Sequence, residues 1–503
     1  MRTVLEPHVD AANRLTRRWC DVAADGDFVI SGAGLWPLLA LMASAAGGPA
    51  RAELEAAIGM PGTAAHSAAL RLLETMDDAV DLSAALGAWV NRGLALNDEW
   101  LSSLPAGTVD LLTDQAALDA WADQHTRGLI KKFPLRIDHS TQLVLATALV
   151  ARTTWREKFR ETAMAPESGP WQGSPVAALS RTTSRLGDAA ILDGPHPVTR
   201  VVVQGTADVD IHLLQGPATP AGVLATGLDA LAGAVDVRTE LPVGTEGPGL
   251  TVREEISLRN SPQLRLQLPP FDVRSTHNLC DTPLGSLFGL NSAQTSGHHF
   301  PGISTSPLMI SQGAQEVLAR FTRDGFEAAA VTAFSMRAGS KPPPPTEYRV
   351  TVCTATFDRP FGFLAVHRPT GLVIVAGWIA SRPAEHRPTQ REQSSATGSA
   401  GPAWQRHHPK PATPQPHPAP LQPHPAPPQP LPPPPHPAPP QSPFGPALAP
   451  PAPPTPTRRP RPEPTPQPPR PPAPPWPPAS DSPTTPLRRP PSPPRPPWPP
   501  YAP

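Results

Sequence analysis

FPGISTSPLMISQGAQEVLARFTRDGFEAAAVTA, residues 300 to 333, joins three kinds of chain in one run. It starts with the Gly, Ser and Pro of a loop and passes into VLARFT, whose β-branched and aromatic side chains fit a strand. After Gly325 come Phe326 and Glu327, then Ala328, Ala329 and Ala330, and Ala is the best helix former. Val331, Thr332 and Phe334 follow, which suit a pleated sheet better than a helix. Four prolines at 342 to 345 end the segment. The stretch from Ala328 to Met336 is therefore small, uncharged and at ease in two conformations, and the rest of the chain has to explain why.

Working outward, the pattern is helical first and strand-rich later. Val9, Ala12, Leu15 and Trp19 predict a helix within 5–24, FVIS a short strand, and GLWPLLALMASAAG and PARAELEAAIGM two helices meeting at a glycine pair. LSAALGAWV reads as a strand, DQAALDAWADQHTRGLIKKF as an amphipathic helix over 114–133, and TQLVLATALVARTTW as one long buried strand over 141–155. Further strands are predicted at VTRVVVQG, VDIHLLQ, LTVREEISL, QLRLQLPPF, YRVTVCTATF, FGFLAV and LVIVAGWI. This is an α+β chain.

Charge and composition divide it. The formal net charge is zero over 503 residues, but from Ser381 onward there are 51 prolines, 12 basic and 4 acidic residues, leaving +8 there and −8 before it. A stretch so poor in large apolar side chains cannot bury enough surface to offset its ordering entropy, so residues 381–503 are expected to be a disordered, polyproline-rich tail and 1–380 the folding domain. QPHPAP recurs at 415–420 and 422–427, a low-complexity repeat whose partner the residues do not name.

Chemistry of the usual kinds is missing from the sequence. Cys20, Cys280 and Cys353 are too few and too scattered for a disulfide framework or a zinc site. His298/His299 and His407/His408 are adjacent pairs that chelate poorly, so no metal and no cofactor are expected. No nucleophile elbow, phosphate loop or dinucleotide fingerprint occurs, and the chain is not expected to be an enzyme. The N-terminal residues have no apolar core of a signal peptide, which places the chain in the cytoplasm on sequence grounds. The uncharged run from Phe28 to Ala50 is broken by ISGAG, so no membrane span is expected. No nucleic-acid partner is expected, and a monomer is.

Several segments, in order along nearly all of residues 5–380, resemble the serpin family. LVLATALVARTTWREKF is similar to its central strand ending in Trp, and FPGISTSPLMISQGAQEVLARFTRDGFEAAAVTA to its Phe-Ser-Gly-Ile-Ser segment, the next strand and the hinge of the reactive-centre loop. RPFGFLAVHRPTGLVIVAGWI resembles the two closing strands, and DAWADQHTRGLIKKF the helix crossing the main sheet. The resemblance implies large mixed sheets, a cluster of helices and an exposed loop, and a suicide inhibitor whose partner is a serine endopeptidase. It also implies extracellular space, against the cytoplasmic reading.

Carried over residue by residue, the resemblance implies a hinge at Gly325, Phe326, Glu327, Ala328, Ala329, Ala330, Val331 and Thr332. The reactive bond falls at Gly339–Ser340, with Arg337–Ala338 as runner-up. The region that holds the main sheet closed maps to Ser31, Gly34, Thr147 and Gln315. Three departures stand out. Arg323 replaces the family's Glu, Phe326 replaces a small residue, and Gly34 replaces a Ser. A large side chain at Phe326 is expected to leave solvent only on insertion and so to slow it. Two other readings stay open: a serpin fold that binds without inserting its loop, and a scaffold whose Pro-rich tail does the work.

Overall fold

Helical spacing with Pro7 in the first turn, where its missing N–H costs little, forms α1 (Pro7–Cys20), shorter than the 5–24 window. In this computed structural model, which describes residues 5–326 and 347–386, β1 (Phe28–Ile30) follows. Ser31 then caps α2 (Gly32–Ala45), its Oγ accepting from the Gly34 amide at 3.0 Å. Being apolar on every side, α2 lies in the core. Next, α3 (Gly48–Ile58) stops at Gly59, whose φ of 68° favours glycine. The sequence reading passed over α4 (Gly62–Asp77), although Ala65, Ala68, Ala69, Leu72 and Met76 mark its buried face.

β2 (Leu82–Val90), α5 (Asp98–Ser103) and β3 (Val109–Leu111) lead to α6 (Gln115–His125), capped by the Asp114 carboxylate. This helix ends well before Phe133, because Arg127 (φ 51°) and Gly128 (φ 83°) turn left-handed. The expected long strand over 141–155 is β4 (Leu143–Ala151) and β5 (Thr153–Thr154), interrupted at Arg152. Then come β6 (Arg160–Met164), β7 (Val176–Thr183), β8 (Ala189–Asp193), β9 (Pro197–Gln204) and β10 (Val209–Gln215). α7 (Pro220–Leu231), β11 (Val237–Arg238), β12 (Glu246–Gly247), β13 (Leu250–Ser257), β14 (Gln263–Leu268) and β15 (Phe271–Asn278) follow. α8 (Leu284–Leu287), β16 (Ala314–Phe321), β17 (Gly325–Phe326), β18 (Tyr348–Thr356), β19 (Phe361–His367) and β20 (Leu372–Ile379) complete the described chain. The short β6, β7 and β8 and the Gly- and Ala-containing α7 escaped the sequence reading.

The strands make an α+β fold of four ladders. β1-β20-β19-β10-β9-β8-β11 is the central sheet, and β10, β19 and β20 are buried along their whole length, which is why they read as continuous apolar runs. β12-β13-β18-β14-β7-β6 is a second sheet. The remaining ladders, β3-β2-β4 and β15-β16-β17-β5, are two parts of one main sheet, since only Arg152 separates β4 from β5. α6 lies against the first part, where Leu118, Ala122 and Phe133 pack with Trp89, Val144 and Ala146.

After β20 the chain stays on the body. The Trp171 indole N–H donates to the Ala380 carbonyl at 2.9 Å, the Ala177 amide to Ala384 at 2.8 Å, and Arg382 to the Ser174 carbonyl at 2.6 Å. No helix among the described residues is long and apolar enough to cross a membrane.

Candidate functional site

β4 and β16 face each other across the main sheet without pairing among the described residues; at one end β17 lies between β16 and β5. There Phe326 pairs with Phe321 on one side and Thr153 on the other, and Gly325 with Thr154. Beyond β17 the two strands border a cleft lined by Thr147, Leu149, Gln315 and Val317, with Trp121 and Phe133 above it. A gap between two strands with a third strand begun at its mouth can accept more of that strand through backbone hydrogen bonds.

The four residues assigned to sheet closure meet at the far end of this cleft. Gln315 on β16 accepts from the Ser31 amide at 3.1 Å and donates to the Ser31 carbonyl at 2.9 Å. Thr147 on β4 donates its hydroxyl to the Gly34 carbonyl. Ser31 Oγ donates to the Ile374 carbonyl at 2.6 Å and accepts from the Gly34 amide. Both strands beside the gap are thus tied to the first turn of α2 rather than to each other. Gly34 takes part through its backbone. A Cβ there would meet Ser31 Oγ at 3.2 Å and Gln315 Nε2 at 3.5 Å, so a small side chain needs only a slight shift of its neighbours.

The hinge corrects the reading of Phe326. Its side chain is 1% exposed, with its ring centroid 6.4 Å from that of Phe363 on β19. It is already turned to the interior and is not a bulky group waiting in solvent. Around it Phe321 stacks on Phe271 at 5.3 Å and lies 4.6 Å from Trp155, whose indole N–H donates to the Thr322 carbonyl at 2.9 Å.

Beside the hinge the charge missing at Arg323 reappears one residue later. Asp324, its side chain 8% exposed, pairs with Lys158 Nζ at 3.0 Å and Arg323 Nε at 3.0 Å. Burial pushes the Asp324 carboxyl up, but hydrogen bonds and charge from Lys158 and Arg323 outweigh it and hold the group below its ordinary value. Backbone bonds fix the same corner: the Trp155 amide donates to Asp324 at 3.1 Å and the Phe159 amide to Arg323 at 3.0 Å. The sequence reading stopped at Arg323 and missed this pair. Its signal was the RDG triplet facing the REKF run, two basic–acidic segments far apart in the chain.

Glu327, Ala328, Ala329, Ala330, Val331, Thr332, Arg337, Ala338, Gly339 and Ser340 lie outside the described residues, as do His407, His408 and the tail from residue 387. The ring nitrogens of His298 and His299 sit on the carbonyls of Ser304 and Thr295. Burial pushes the thiols of Cys20 and Cys353 up to about 12 and about 11, so both stay protonated and unreactive near neutral pH.

Comparison with known proteins agrees with this geometry. The family model described as serpin (serine protease inhibitor) matches residues 8–168 and 249–381. Serpin-ZXA of Oryza sativa subsp. japonica is 27% identical over 372 residues, spanning 68% of this chain and 87% of that protein. Thyroxine-binding globulin in complex with thyroxine superposes with a TM-score of 0.54 at 15% identity, over 75% of this chain and 98% of its own. Native protease nexin-1 with heparin gives 0.54 at 15% identity, over 74% and 97%. At such identity these two structures establish likeness of fold alone.

Proposed function

This chain belongs to the serpin family, described as serine protease inhibitors, and we propose that it is itself a suicide inhibitor of serine endopeptidases. A protease attacks the segment between Phe326 and Glu347 at Gly339–Ser340, or at Arg337–Ala338 if its specificity is trypsin-like. The hinge side, from Glu327 to Thr332, then continues β17 down the gap between β4 and β16 and carries the acylated enzyme with it. The observation that supports this reading most is the split main sheet with Gly325 and Phe326 already paired at its mouth. In this reading residues 1–380 form the inhibitory domain, and the tail from 381 is a separate appendage. A serpin fold that binds without inserting is favoured only by Arg323, and the Asp324–Lys158 pair offsets that departure.

Incubation with trypsin-, elastase-, chymotrypsin- and subtilisin-like enzymes tests the proposal. An SDS-stable complex with one of them is expected, with mass spectrometry placing the cut between residues 337 and 341. A loop cut by all without trapping, together with an unchanged thermal midpoint after cleavage, would leave the non-inserting reading in its place.

A further inference from the structure

On one face of β13 stand Leu250, Val252, Glu254 and Ile256, and the body covers only the first two of them. Leu250 and Val252 are each 1% exposed, whereas Ile256 and Leu258, two and three alternations further on, are each 63% exposed. Leu250, Val252 and Ile256 share that face by the period of a strand, and Leu258 follows in the bend just past the end of β13. Across the ladder the cover ends at the same level: Ala355 and Cys353 are buried opposite Leu250 and Val252, while Arg349 stands opposite Ile256 with its side chain 76% exposed and ion-paired to Glu254 at 3.1 Å. Among the described residues the other large exposed apolar side chains, Val22, Val80, Leu101, Val243 and Met309, are scattered singly along the chain. An apolar pair standing uncovered beside an exposed ion pair fits a partner surface, with an apolar centre and a polar rim, better than it fits water.

The position of this pair names the partner. Ser257, between Ile256 and Leu258, pairs with Tyr348, the first residue of β18. That strand begins where the chain returns from the segment the protease attacks. From Ser340 to Glu347 the chain can span at most about 25 Å. A protease of about 220 residues has a radius of roughly 20 Å, so one engaged at residues 339–340 has its rim within reach of the β13 tip.

We propose that Ile256 and Leu258, rimmed by the Arg349–Glu254 ion pair, form a docking surface for the body of the target serine endopeptidase, beside its active-site cleft. This rests on the inhibitor reading above and adds to it a second contact that selects among proteases cutting the same bond. Apolar docking of this kind slows dissociation of the encounter complex, so that more encounters proceed to cleavage, and leaves the later partition between trapping and release unchanged.

The test uses the full chain and whichever of the four enzyme classes cuts between residues 327 and 346 fastest, following cut plus trapped chain with time. The double variant Ile256→Ser/Leu258→Ser is expected to slow this about tenfold at an unchanged midpoint and an unchanged ratio of trapped to cut chain. Leu101→Ser, on α5 at the opposite end of β2 from the hinge, should stay within twofold of the parent. Leu258→Lys, outside the ladder, should reproduce a severalfold fall should the double variant misfold. An unchanged rate in a folded double variant discards the docking surface and leaves the inhibitor reading standing. Failure of all four enzymes to cut the segment discards both. A parent that is dimeric by sedimentation, with a monomeric double variant, gives the face to a second copy and also overturns the proposal.

Discussion

Replacing Phe326 by Ala is expected to loosen the hinge and lower stability, with no gain in insertion. Among the described residues the ladder of β17 comprises Gly325 and Phe326, and the buried ring of Phe326 is the side-chain contact that anchors it. At 1% exposure the ring loses its full contact when truncated, and Phe→Ala in a core costs about 3–5 kcal/mol. With about 2.1 cal/mol/K of unfolding entropy per residue, a body of roughly 360 residues melts with about 0.8 kcal/mol/K. The first thermal transition should therefore fall by roughly 4–6 °C, read by calorimetry at one scan rate. Hydrogen exchange should accelerate at the amides of Gly325 and Phe326 and at Trp155, whose amide bonds to Asp324. Phe326→Leu should keep most of the loss away, because it refills the same space. Phe326→Thr should behave like Ala and trap no more protease than the parent. A midpoint within about 1 °C of the parent, with exchange at the hinge unchanged, would refute the idea that this ring holds the hinge in the sheet.

Other perturbations read other parts of the site. Gln315→Ala removes both hydrogen bonds to Ser31 and should cost about 1–3 kcal/mol, measured by urea unfolding. The depressed Asp324 carboxyl contributes stability above its unfolded value near 4 that is lost as pH falls through its lower folded value. Asp324→Asn should accordingly flatten the acid limb of the midpoint-against-pH curve and cost only about 1 kcal/mol at neutral pH, since Lys158 is half-exposed and screened. Truncation after His386 should leave the midpoint within about 2 °C. Truncation after Ala380 should lower it further by deleting the bonds of Arg382 and Ala384.

The hinge shows why some of the site was legible and some was not. The Ser that caps α2 and the buried strands at FGFLAV and LVIVAGWI are local signals, readable one residue after another. Phe326 was equally visible, but its direction was not. Which face of a two-residue strand meets the core depends on Thr153 and Thr154, brought beside it from the middle of the chain. Gly34 offers no side chain in the sequence, whereas its contacts beside the cleft are made by its amide and carbonyl.

Sequence alone determined the α+β composition and the family, because these rest on periodicity and ordered motifs. Tertiary structure decided that the main sheet is split between β4 and β16, that Phe326 is seated in it, and that Asp324 finds Lys158. Those features depend on contacts between residues far apart in the chain, and no local propensity encodes which distant backbone or charge will arrive.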